Sequence, residues 1–203
     1  LGETWQFRSF AKNFYVVPVA LRGNTIFAGS WGAGLYKSTD MGETWQQYKF
    51  TDQKINAISL LDNYVYVGIS NDLVISEDFG ETWVNTKTGF LYGNLMEFWV
   101  NAISNDGENL FLKAYKNGVF LSTDLGTTWE PRNNGLQLGG SADRTPLVIN
   151  NDYIFVNLYS IGQLKSFYRA RLTDLITGVD VKEDQMQSQN SLFPNPARDY
   201  IIA

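Results

Sequence analysis

Cysteine and histidine are both absent from this sequence of 203 residues. Without cysteine there is no disulfide framework, no thiolate nucleophile and no Cys-based zinc site. Without histidine there is no Ser-His-Asp triad and no imidazole general base. Basic residues are outnumbered, 16 to 21, giving a net charge of −5, and they do not cluster. That balance argues against a nucleic-acid partner, whose phosphates need a basic stripe. No apolar run reaches the roughly 18 residues of a spanning helix, so no membrane span is expected. No cofactor is expected either. Trp31-Gly32-Ala33-Gly34 contains a Gly-x-Gly step, but it lies between two short strand patterns with no helix after it. The dinucleotide fingerprint needs that helix. The Asp and Asn residues of the turns show no ligand spacing for a metal.

What the chain has is apolar bulk and repetition. It is 44% hydrophobic and 15% aromatic, far from the profile of disorder. The motif Ser-x-Asp-x-Gly-x-Thr-Trp occurs at 38–45, 76–83 and 122–129, and its tail opens the chain as Leu1-Gly2-Glu3-Thr4-Trp5. Trp5, Trp45, Trp83 and Trp129 recur at spacings of 40, 38 and 46 residues. A period near 40–45 residues fits one four-stranded propeller blade.

Each repeat supports that reading. Before the first motif, short runs at Val16–Leu21, Thr25–Gly29 and Leu35–Lys37 alternate with turns rich in Gly and Asn. The second repeat has Ile55–Leu60, Tyr64–Ile69 and Leu73–Ile75; the third has Phe98–Ser104, Asn109–Ala114 and Val119–Leu121. Such short β-branched and aromatic runs, bounded by turn residues, are strands. A fourth repeat keeps Leu147–Ile149, Tyr153–Leu158 and Phe167–Leu172 but has lost its motif, with Leu172-Thr173-Asp174-Leu175 in its place. The expected fold is all-β, a propeller of four-stranded blades. About four are present, as part of a larger ring. Closure of four blades by Glu3–Phe7 is the less favoured arrangement. Residues 1–175 hold the blades, 176–190 a polar linker, and 191–203 a further segment that begins Leu192-Phe193-Pro194-Asn195-Pro196.

The motif suits a tight turn between the third and fourth strands. Asp40, Asp78 and Asp124 are placed to accept backbone N–H bonds, as in Asx-turns. Gly42, Gly80 and Gly126 supply positive φ. The hydroxyls of Ser38, Ser76 and Ser122, and of Thr44, Thr82 and Thr128, are expected to satisfy backbone groups of the turn. Trp45, Trp83 and Trp129 then start the outer strand and bury large rings.

These residues resemble the Asp-box (BNR) repeat of sialidases, xyloglucan-type glycoside hydrolases, sortilin-like receptors and photosystem assembly propellers. The resemblance implies a structural role for the motif, on the rim away from any ligand. The segment Leu192-Phe193-Pro194-Asn195-Pro196-Ala197-Arg198-Asp199-Tyr200 resembles the opening of the C-terminal sorting domain of type IX secretion, type A. That resemblance implies a bacterial protein secreted or held at the outer-membrane surface, with the secretion machinery as a partner.

Catalytic residues are not legible. The arginines, such as Arg22 and Arg132, form no sialidase-type triad, and no Phe-Arg-Ile-Pro segment precedes the first motif. Asp52, Asp72 and Asp143 fall in loops on the expected ligand side, but nothing pairs them as a hydrolytic acid and its partner. The favoured function is a non-catalytic module binding a glycan or a protein. The alternative is a glycoside hydrolase, sialidase-like or xyloglucanase-like, whose catalytic blades lie partly elsewhere. In propellers, ligands sit on the face formed by the second-to-third strand turns and the blade connections. The candidate ligand residues are therefore Trp31, Asn71, Asp72, Tyr92, Tyr115, Lys116 and Tyr159. Phe98 and Trp99 are read as the start of the next strand, packed in the core.

Overall fold

The computed structural model describes residues 15–69, 72–86, 99–136, 138, 146–158 and 166–178. They form a β-propeller arc of four antiparallel sheets, each a meander in chain order. The first sheet is β1 (Val16–Arg22), β2 (Thr25–Ser30), β3 (Gly34–Ser38) and β4 (Gln46–Lys49). The second is β5 (Ile55–Leu61), β6 (Tyr64–Ile69), β7 (Asp72–Ser76) and β8 (Val84–Asn85). The third is β9 (Val100–Asn105), β10 (Leu110–Ala114), β11 (Gly118–Ser122) and β12 (Glu130–Pro131). The fourth has three described strands, β13 (Leu147–Ile149), β14 (Tyr153–Leu158) and β15 (Ser166–Arg171), followed by a short helix α1 (Leu172–Thr177). The inner strands β1, β5, β9 and β13 lie side by side in that order.

Middle strands are buried on both faces, which is why they read as continuous apolar runs rather than alternating ones. In β10, Leu110 and Leu112 pack toward the second sheet, against Tyr66 and Leu73. Phe111 points the other way, toward Ile154 and Val156 of the fourth sheet. A third cluster joins Phe27 and Leu35 of the first sheet to Ile55, Val65 and Val67 of the second. The core is thus three layers of side chains between four sheets. Two glycines set how closely the sheets approach. A Cβ on Gly29 would lie 2.5 Å from Ile55 Cγ2, and one on Gly68 would lie 2.9 Å from Val100 Cβ. The sheets at the two ends of the arc keep exposed apolar side chains, Val19 and Leu21 at one end and Val148 and Phe167 at the other.

The fourth repeat departs from an all-β expectation. Ala170, paired with Ile154, stands where Ser38, Ser76 and Ser122 stand opposite Ile26, Val65 and Leu110. Two residues on, Leu172 replaces the motif aspartate and is buried against the third-sheet side of the core. With neither hydroxyl nor carboxylate to organise the turn, the backbone closes a helical turn instead. Gly178, at φ 68°, ends it with its N–H on the carbonyl of Asp174. Residues 1–14, which include Glu3–Phe7, and residues 179–203, which include the Leu192–Tyr200 motif, lie outside the described residues.

Candidate functional site

In an up-and-down four-stranded sheet, the first and third turns share one face, and the second turn and the exit share the other. Backbone bonds bear this out. Met41 N–H donates to Asn24 O at 3.0 Å and Phe79 N–H to Asn63 O at 2.8 Å, tying motif turns to inner hairpins. On the opposite face, Trp31 N–H reaches Tyr15 O at 2.9 Å and Tyr115 N–H reaches Trp99 O at 2.8 Å.

The motif turns are three copies of one hydrogen-bond network. Ser38 Oγ–H donates to Asp40 Oδ1 (2.7 Å) while accepting from Gly42 N–H (2.9 Å). Asp40 also accepts from Thr44, through the backbone N–H at 2.9 Å and the hydroxyl at 2.6 Å. Trp45 Nε1–H closes the turn on Gly42 O at 3.0 Å. Ser76, Asp78, Gly80, Thr82 and Trp83 repeat these bonds. So do Ser122, Asp124, Gly126, Thr128 and Trp129. The threonine hydroxyls differ from the sequence expectation: they bond the aspartate side chain, because Thr follows Asp by four residues and folds back over it.

A second departure is the residue before each glycine. Met41, Phe79 and Leu125 all adopt positive φ, at 58°, 57° and 57°. The turn needs two successive left-handed residues, and the motif specifies only the second as glycine. The first is held there by the surrounding bonds, at a conformational cost of roughly 1–2 kcal/mol.

The hydrogen bonds fix the charge state of these acids. The Thr44 hydroxyl, then the Thr44 amide and the Ser38 hydroxyl, lower Asp40 to a pKa of about 2. Thr82 and Ser76 do the same for Asp78, also about 2. Burial opposes the shift at Asp124, but bonds from Thr128 and Ser122 outweigh it and its pKa is lowered too. A carboxylate so stabilised as an anion is a poor proton donor near neutral pH. Each of the three is engaged within its own turn.

The opposite face carries the candidate ligand residues. Trp31 is half-buried; its indole Nε1–H donates to Asn56 Oδ1 at 3.1 Å, and Lys54 Nζ lies 4.9 Å from its ring centroid. Tyr115 stacks on Trp99, with ring centroids 5.3 Å apart and planes 22° apart, and Lys116 Nζ lies 4.8 Å from the Tyr115 ring. Trp31 and Tyr115 are equivalent positions, each three residues before the glycine that opens the third strand (Gly34 and Gly118). Asp72 begins β7 and accepts from Asn85 Nδ2 at 2.6 Å and from Leu73 N–H at 3.1 Å. Asn71, Tyr92 and Tyr159 lie outside the described residues.

Sequence reasoning missed two members. Strand β9 begins at Val100, so Trp99 sits on this face, 38% exposed, instead of in the core. Lys54 belongs with Trp31 through an isolated antiparallel bridge between the two residues. The available signal was positional: Tyr15, Lys54 and Trp99 each immediately precede an inner strand.

Among the described residues no group of three Asp or Glu could hold a metal ion, and no helix is long and apolar enough to cross a membrane. A cavity of about 160 Å³ lies between the third and fourth sheets, lined by Val119, Leu136, Ile154, Tyr168 and Leu175 with Arg132 at its edge. Arg132 is engaged there, donating to Leu175 O at 2.6 Å and to Glu130 at 2.8 Å.

No protein-family model matches the sequence, and no curated protein does. Solved structures match the fold, and they are propellers. An ancestral GH74 enzyme is similar over 85% of this chain and 26% of its own, with TM-score 0.59 and 18% identity. The GH74 enzyme of Niastella koreensis is similar over 81% and 29%, with TM-score 0.54 and 18% identity. YCF48 from Cyanidioschyzon merolae is similar over 80% and 57%, with TM-score 0.57 and 13% identity. The chain therefore spans about a quarter of the GH74 enzymes it matches. At these identities the likeness is one of fold.

Proposed function

We propose that this chain is part of an Asp-box (BNR) propeller that binds a ligand without catalysis, through the face opposite the motif. The observation that carries the reading is the pair of aromatic–lysine stations, Trp31 with Lys54 and Tyr115 with Lys116 and Trp99, at equivalent turns of the first and third sheets. Rigid aromatic rings beside polar tips are what sugar rings and protein side chains dock against. Four of the described carboxylates are engaged by neighbouring hydrogen-bond donors. Those of the motif are spent on their own turns, and Asp72 is bound to Asn85.

The terminal resemblance extends the proposal: residues 192–200 begin a type IX sorting domain, and the protein is exported to the medium or the outer surface. Protease shaving of intact producing cells, with and without residues 176–203, tests this; protection from protease in both forms would refute it.

A second reading, a glycoside hydrolase of sialidase or xyloglucanase type, draws support from the GH74 enzymes among the similar folds. A glycan array run beside chromogenic glycosides separates the two. Binding without turnover is expected. Turnover that disappears with Asp52→Asn or Asp72→Asn would establish the hydrolase instead.

A further inference from the structure

The two faces of the arc differ in charge. On the motif face, Asp40, Asp78 and Asp124 occupy the three motif turns, and Asp62, Asp106 and Asp152 the inner hairpins of the last three sheets, outnumbering Arg22 at the inner hairpin of the first. The hydrogen bonds that lower Asp40, Asp78 and Asp124 keep that face anionic well below neutral pH. The described turns of the opposite face carry Lys54 and Lys116 against Asp52 and Asp72, and Asp72 is bonded to Asn85.

Both lysines are exposed, and both are placed by an aromatic ring. Lys54 Nζ lies 4.9 Å from the Trp31 centroid and Lys116 Nζ 4.8 Å from the Tyr115 centroid. A ring quadrupole holds an ammonium over its face. The arrangement recurs on two sheets that share little else at these turns: Trp-Gly-Ala in one, Tyr-Lys-Asn in the other, with the lysine drawn from a different segment each time. The aromatic edge offers apolar contact to a ring, and the adjacent ammonium offers a partner to an anion carried on that ring.

We infer that the ligand of this face is an acidic polysaccharide, one whose sugar rings bear carboxylates. The inference rests on the binding role proposed above and names its ligand class. The acidic motif face repels such a polymer and leaves the aromatic–lysine face as its docking side. A neutral glycan would use the rings and gain less from the lysines, which offer its hydroxyls hydrogen bonds but no ion pair.

The test is affinity electrophoresis and calorimetry of the 203-residue chain with polygalacturonate and with neutral xyloglucan, at low and high salt. Polygalacturonate is expected to bind more tightly, and its binding to weaken with salt as exposed ion pairs are screened. Lys54→Gln and Lys116→Gln should each weaken it by up to about fivefold, the upper range for an exposed pair. Each substitution should weaken xyloglucan binding less than polygalacturonate binding, since glutamine can still donate to a sugar hydroxyl. Trp99→Ala should weaken both ligands. Equal or tighter xyloglucan binding, or polygalacturonate binding indifferent to both lysines, overturns the acidic ligand and leaves the binding module standing. Failure to bind either polymer, with protein partners recovered on the same face, overturns the acidic ligand and keeps the module as a protein binder. Turnover of xyloglucan overturns both readings; turnover of polygalacturonate overturns the non-catalytic one and keeps the acidic ligand.

Discussion

The hydroxyl of Tyr66, in the second sheet, donates to the carbonyl oxygen of Leu125, in the motif turn of the third, at 3.1 Å. One sheet earlier, Tyr48 of the outer strand β4 donates to the next residue position of its motif turn, Gly80 O, at 2.8 Å. The motif turn is therefore fastened to the preceding sheet as well as to itself. Burial raises the pKa of both tyrosines, so each stays protonated and able to donate. Tyr66→Phe removes the donor and keeps the packing. It is expected to lower stability by about 0.5–1.5 kcal/mol, the net worth of one hydrogen bond. Urea unfolding checks this: the midpoint should fall with the slope unchanged.

The serine is the motif's buried polar side chain. Ser122 is 2% exposed, and its oxygen accepts the N–H of Gly126 at 2.8 Å. Ser122→Ala leaves that N–H unpaired in the interior, at a cost of roughly 1–3 kcal/mol. Ser38→Ala and Ser76→Ala should cost about the same, because the three networks coincide. A series of unequal losses in denaturant melts would show that the turns are not equivalent.

Met41 occupies a left-handed position on the surface, 56% exposed at φ 58°. Asparagine tolerates that conformation and a β-branched residue does not. Thermal unfolding should rank Met41→Asn at or above wild type and Met41→Val below it. The reverse order would refute the strain.

The motif aspartates make stability depend on acid. Asp40 and Asp78 titrate near 2 in the folded chain against 3.8 for the free side chain. A depressed folded pKa contributes stability that is complete above about 3.8 and is lost as pH falls toward 2. Asp78→Asn should therefore flatten the fall in unfolding midpoint across that window. The profile between pH 5 and 8 should keep its shape, with histidine absent.

Close packing between sheets rests on missing side chains. A methyl at Gly68 would meet Val100 at 2.9 Å, and one at Gly29 would meet Ile55 at 2.5 Å. Gly68→Ala and Gly29→Ala are each expected to destabilise by about 1–3 kcal/mol through overpacking. Hydrogen exchange should locate the loosening at the layer each glycine seals, between the second and third sheets or between the first and second.

The repeat was legible because its punctuation is chemical. Ser38, Asp40, Gly42, Thr44 and Trp45 act within one turn, so their spacing alone announces the turn. A 38–46-residue period then implies a blade. Strand ends were legible to within one or two residues, since Asn, Asp and Gly mark the hairpins. Trp99 was not: an aromatic at the mouth of a strand reads the same whether it faces the core or solvent. The pairing of Trp31 with Lys54 was hidden too, because it joins the turn of one sheet to the entry of the next.

The sequence alone determined the β-propeller class and the turns, because the turn chemistry acts within about eight residues and its 38–46-residue period marks the blade. The tertiary structure decided three things that no local pattern could. It set the helix at Leu172 in place of a fourth motif. It fastened the second and third motif turns to the preceding sheet through Tyr48 and Tyr66. And it gathered Trp31, Lys54, Trp99, Tyr115 and Lys116 on one face, since which side a turn faces follows from how sheets stack.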